Sequence, residues 1–129
     1  MNKILLIDDD APTNFFNQYI LKKHTINCEI VVKTNGLEAL EYLETEALPD
    51  LILLDINMPI MNGFEFLDQA KRSFKDKWEQ TKIFIMMSVE LPEESFRKID
   101  AADNVNIINS KILTKVDIEN IFLNVTMCN

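Results

Sequence analysis

Four apolar runs in this chain lead into polar side chains, and those polar groups are the ones that could do chemistry. The run over 3–7 finishes on Asp8 and Asp9, the run over 51–54 on Asp55, the run over 83–87 on Ser88, and the run over 105–108 is followed shortly by Lys111. Carboxylates held close together repel by about 3 to 4 kcal/mol per pair at an effective dielectric near 20, so one takes up a proton or a cation neutralises the group. The ligands on offer are oxygens, with no cysteine nearby and the only histidine, His24, at the far end of a helix. Such a set selects a hard divalent ion such as Mg²⁺ over zinc. Beside that ion Asp55 could act as a nucleophile in phosphoryl transfer. Lys111 would offset charge on the equatorial oxygens, and Ser88 could donate a hydrogen bond to one of them.

These groups meet only if the runs are parallel strands sharing one edge. Leu51, Ile52, Leu53 and Leu54 form a wholly apolar run that reads as a strand buried on both faces. A charge inside that layer is costly to desolvate, which places Asp55 just past the strand, at the carboxyl edge where open α/β sheets bind ligands. Pro59 cannot continue a central strand and Asn62-Gly63 adds turn chemistry, so the chain must loop over Asp55 before a helix begins.

The remaining elements follow in order. Asp10-Ala11-Pro12-Thr13 is a helix entry, with Asp10 as a capping residue. The helix it opens carries Phe16, Ile20 and Lys23 on one stripe and Phe15 and Tyr19 on the next. About half its girth is therefore expected to pack on the sheet, ending near His24, with Phe15, Phe16, Tyr19 and the six methionines as core filling. A short strand over 29–32 precedes Asn35-Gly36 and a helix marked by Leu37, Ala39, Leu40 and Leu43. Leu67, Ala70 and Phe74 mark the helix after Gly63, and Trp78 anchors the polar loop that follows. Leu91-Pro92-Glu93-Glu94 starts a thinly anchored helix with Phe96 and Ile99, and Ile118, Ile121, Phe122 and Val125 mark a final one. About five strands alternating with about five helices predict a doubly wound α/β fold, a five-stranded parallel sheet with helices on both faces. The flavodoxin-like order 2-1-3-4-5 suits a chain of this size.

The chain's 129 residues fit one domain over 1–129, with 47% hydrophobic and 26% charged residues. A net charge of -8 argues against nucleic acid as a partner, because a duplex binder needs a concentrated basic face. Anionic membranes are disfavoured likewise, and no apolar run approaches the roughly 18 residues of a membrane span. Without a secretory signal the expectation is a soluble cytoplasmic protein, with Cys28 and Cys128 as two reduced thiols.

In its motifs the chain resembles the receiver domains of two-component response regulators. The likeness runs almost end to end and rests on ILLIDDD over 4–10, TNGLEAL over 34–40, DINMPIMNG over 55–63, Ser88 after its strand, and Lys111. The resemblance implies that Asp55 is the phosphoacceptor and that Asp9, Asp55 and the main-chain carbonyl of Asn57 bind Mg²⁺, with Asp8 assisting through water. It implies that Ser88 is the switch hydroxyl and Lys111 the phosphate-pairing lysine. The implied donor is a histidine kinase or phosphotransfer protein, the target an unidentified downstream protein, and the chain a stand-alone receiver. Three departures bear on this. Ile112 follows Lys111 where the family usually has proline, Ile108 occupies a position that is often a switch aromatic, and Val89 follows Ser88 where a smaller residue is common and is expected to narrow access to the phosphoryl group.

Blander readings exist for each group taken alone. Asp8 to Asp10 could all be helix-capping residues, but capping needs one carboxylate and three are present. Asp55 could be a turn former before Pro59, Lys111 a solvated lysine and Ser88 a strand-end hydroxyl; their joint placement is what favours chemistry. A calcium loop at Asp55 fails because Pro59 and Ile60 stand where a third ligand and the obligatory glycine belong. Two competing functions differ in kind. A phosphatase of the haloacid dehalogenase type also uses an aspartyl nucleophile, but presents it on the first strand in an Asp-x-Asp pattern with a cap. A receiver-shaped docking protein would carry no phosphate at all.

Overall fold

A computed structural model describes residues 3–25, 27–87 and 104–124. Its sheet has five parallel strands in the order β2-β1-β3-β4-β5, where β1 is Lys3–Ile7, β2 Glu29–Lys33, β3 Leu51–Leu54, β4 Lys82–Met86 and β5 Val105–Ile108. Four helices accompany it among the described residues: α1 Ala11–His24, α2 Gly36–Thr45, α3 Gly63–Phe74 and α4 Lys115–Asn124. The helix expected after Pro92 lies outside them.

Successive side chains of a strand point to opposite faces, and here both faces are apolar, so the sheet builds two cores. Leu5, Ile7, Ile52, Leu54, Ile83 and Ile85 pack on one side with Ala39, Leu40 and Leu43 of α2 and Phe66 and Ala70 of α3. Ile4, Leu6, Leu51, Leu53, Phe84 and Met86 pack on the other with Leu21 of α1 and Ile118 and Ile121 of α4. Trp78 does anchor its loop, which forms a 3-10 turn over Lys75–Gln80: it is buried edge-on to Phe66 at 6.0 Å and stacked on Phe74 at 6.1 Å between ring centroids.

Two expectations fail. The helix α1 ends at His24 as expected, but Phe15, Phe16 and Tyr19 are 74%, 42% and 52% exposed, and its buried side chains are Asn14, Asn17 and Leu21. The inward face is polar because both asparagines have backbone partners there. The side-chain NH₂ of Asn14 donates to Asp8 O, and Asn17 bonds to both Lys111 and Leu113. Satisfied amides cost little to bury, whereas a phenyl ring would leave those backbone groups unpaired. The second correction concerns Cys28, which is disulfide-bonded and not a reduced thiol.

Candidate functional site

The parallel ladder runs one bond past its strands and places the first acids. The N–H of Asp8 donates to Lys33 O at 3.1 Å, and the N–H of Asp55 donates to Ile7 O at 2.8 Å, so Asp55 lies beside the end of β1. On the far side, Met87 N–H donates to Ile108 O at 3.0 Å, bringing β4 and β5 to the same edge. One carboxylate oxygen from each of Asp8, Asp9 and Asp55 then falls within 4.8 Å of the others. Lys111, in the loop after β5, reaches across so that its Nζ lies 3.4 Å from Asp55 Oδ1.

Charge at this edge is only partly balanced. Asp55 is 3% exposed, and its Oδ2 is buried with no hydrogen-bond partner. Burial pushes the Asp55 carboxyl above its ordinary range, against the opposing pull of Lys111, and Asp9 adds to the rise. Asp8 is raised to about 6, first by burial and then by the charge of Asp55, while an N–H bond from Asp10 works the other way. Buried acids in one cluster favour the neutral form until something positive arrives. The donors are all oxygen and one of them is an unpartnered buried atom, so the residues fit a hard dication.

Around the acids the backbone is tightly held. Asp8 Oδ1 accepts from Asp10 N–H at 2.9 Å, and Asp10 caps α1 by accepting from the N–H of Thr13 at 3.0 Å and from its hydroxyl. After β3, Gly63 N–H donates to Ile56 O at 2.9 Å and Gly36 N–H to Met61 O at 3.2 Å, tying the loop to α2 and α3. Only glycine fits at 63: a Cβ there would lie 2.6 Å from Asp55 O and 2.8 Å from Ile56 Cδ1. A capping box follows, in which Asn62 Oδ1 accepts from Glu65 N–H and Glu65 Oε1 accepts from Asn62 N–H. Between these ties Ile60 sits at φ 69°, a left-handed conformation that costs a β-branched residue about 1 to 3 kcal/mol and persists only where the surroundings enforce it.

Of the residues singled out from the sequence, Asp8, Asp9, Asp55 and Lys111 come together, and Asn57 lies exposed in the loop that follows Asp55. Ser88, like Val89, lies outside the described residues. Ile108 is buried against the core that contains Phe84, Met86 and Leu113. The Lys111–Ile112 peptide is trans. The sequence reading missed Asn14 and Asn17, although two asparagines three apart on a helix otherwise rich in aromatics were a visible signal of a polar inner face.

Comparison with known proteins agrees with this geometry. A family profile, the response regulator receiver domain, matches residues 4–116. The chain is 36% identical over 76 residues to the response regulator Rcp1 of a Synechocystis strain, a match that covers 54% of this chain and 52% of that protein, so it spans about half of the relative's length. The crystal structure of a two-component response regulator from Cytophaga hutchinsonii superposes with a TM-score of 0.82 at 32% identity, covering 96% of each chain. The manganese-bound form of Rcp1 shares the fold, with a TM-score of 0.72 at 24% identity over 96% of this chain and 91% of that one. The chain therefore belongs to the response regulator receiver domain family, and the receiver domain is a phosphoacceptor signalling module and not itself a multiple-turnover enzyme.

Proposed function

We propose that Asp55 takes a phosphoryl group from the phosphohistidine of a histidine kinase or phosphotransfer protein. The observation that carries this reading is the state of the Asp55 carboxylate, with Oδ1 facing the Lys111 ammonium at 3.4 Å and Oδ2 buried and unpartnered. A carboxylate oxygen attacks phosphorus, the P–O bond forms as the P–N bond breaks, and the bonding pair leaves with the imidazole nitrogen. Lys111 stays close to the new acyl phosphate and offsets its added negative charge. Ser88 donates to a phosphoryl oxygen.

Asp9, Asp55 and the carbonyl of Asn57 would hold Mg²⁺, with Asp8 bonding to a water of its shell. When bound, the ion supplies charge neutralisation at the phosphoryl oxygens. The output surface in this reading is the segment after Pro92 together with β5 and α4, where Val116 and Leu123 stand exposed. Phosphorylation biases that surface toward a partner-binding state.

Incubation with Mg²⁺ and acetyl phosphate, followed by intact mass, tests the proposal. The expected result is one phosphoryl group per chain, lost in Asp55→Asn. No added mass on the wild type would instead support the docking protein that carries no phosphate.

A further inference from the structure

The inward face of α1 carries two buried asparagines, and they reach the two sides of the acidic pocket. Asn14 donates to the carbonyl of Asp8 at 2.7 Å. Asn17, 3% exposed, donates from Nδ2 to the carbonyl of Lys111 at 3.0 Å and accepts at Oδ1 from the N–H of Leu113 at 2.9 Å. One planar amide thus grips the main chain on both sides of Ile112, across 94 and 96 residues of sequence. The Ser110 hydroxyl closes the same turn, donating to Ile112 O at 2.8 Å and accepting from Ile112 N–H at 3.2 Å.

A proline at 112 would by itself restrict the backbone of Lys111. This chain has isoleucine there, so the conformation of Lys111 must be held from elsewhere; Ser110 and Asn17 both bond the two flanking peptide groups, and Asn17 is the one that ties them to another element, the buried face of α1. We infer that Asn17 is a positioning residue for Lys111: its clamp sets the direction in which Lys111 leaves the loop and so holds the ammonium against Asp55. This rests on the reading of Asp55 as a phosphoacceptor assisted by Lys111. The chemistry of the amide is specific to the task, since leucine of similar size offers neither bond and aspartate only the acceptor.

The test compares Asn17→Leu and Asn17→Asp, each alone and combined with Lys111→Ala. Acetyl phosphate with Mg²⁺ and intact mass give the rate of phosphoryl uptake, amide hydrogen exchange at Leu113 reads the clamp, and calorimetric titration with Mg²⁺ reads the carboxylates. Asn17→Leu is expected to lose protection at Leu113 and to slow uptake by about ten- to a hundredfold, the scale of a displaced catalytic group. It should leave Mg²⁺ affinity within about twofold and slow nothing further once Lys111 is alanine, because the two residues act through one group. Asn17→Asp, which keeps the bond to Leu113, should retain protection there with an intermediate rate, and it carries the comparison if Asn17→Leu does not fold. Uptake unchanged in Asn17→Leu, or slowed by the same factor with and without Lys111, overturns the inference while the phosphoacceptor reading stands. A wild type that gains no mass overturns both.

Discussion

Asp55 and Lys111 hold each other across the carboxyl edge of the sheet, with Nζ 3.4 Å from Oδ1, and the arrangement neutralises only half of the carboxylate because Oδ2 remains buried without a partner. Lys111 comes from the loop after the edge strand β5, two strands away from β3. The pair therefore ties the start of the β3 loop to the far side of the site and leaves one carboxylate oxygen without a partner.

Replacing Lys111 by alanine removes the charge facing Asp55. At neutral pH the unfolding free energy from urea titration should fall by about 1 kcal/mol, a value discounted because the lysine side chain is 36% exposed. Phosphoryl uptake should fall by about a hundredfold, the usual scale for losing one electrostatic donor. A rate within twofold of wild type, measured by intact mass, would count against its role.

The raised carboxyls give a definite pH dependence. Asp8 titrates near 6 in the folded chain against an ordinary 3.8, and Asp55 is also raised, so the folded state binds these protons more tightly than the unfolded one. Their stabilising contribution is complete below about pH 4 and is lost as pH rises through about 6. Without metal, this part of the stability profile should decline over that window. Mg²⁺ needs the deprotonated acids, so its gain in Tm should be small near about pH 5 and grow above about pH 6. Thermal melts in chelator and in Mg²⁺ check both arms; a metal gain equal at both ends would rule the assignment out.

Gly63→Ala tests how closely α3 rides on the acceptor. Its Cβ would meet Asp55 O at 2.6 Å, and main-chain atoms cannot yield as a flexible side chain can. A loss of about 2 kcal/mol in urea unfolding is expected, within the range for overpacking. Phosphoryl uptake should slow as well, because the displaced atom belongs to Asp55.

The orientation of α1 is checked by contrast. Phe15→Ala should change stability by no more than about 0.5 kcal/mol, since Phe15 is 74% exposed, while Leu21→Ala should cost about 3 kcal/mol from a fully buried site. Equal losses would mean that the aromatic stripe packs inward after all.

The inner strands β1, β3 and β4 were legible because a layer buried on both faces leaves little room for a polar residue, so apolar runs ending at Asp8 and Asp55 marked both those strands and the edge they share. The acidic cluster and Lys111 followed from that edge. What misled was α1, where aromatic periodicity suggested a packing face and backbone groups of Asp8, Lys111 and Leu113 instead required amides. Such partners lie up to 96 residues away in sequence, so the spacing of Asn14 and Asn17 marked a polar inner face without naming the groups it bonds to. The left-handed Ile60 was hidden for a similar reason, since the ties that enforce it come from Gly36 and Gly63 and not from its own preference.

The sheet order also has a temporal side. Of the groups gathered at the edge, the acids belong to the first 55 positions, and the cation that steadies one of them arrives only with position 111. On a ribosome, a nascent chain displays its acidic residues long before the last strand can dock. If Asp55 is the phosphoacceptor, a half-made chain holds the acceptor without the ammonium that faces it, and the full set of groups is present only once position 111 has emerged.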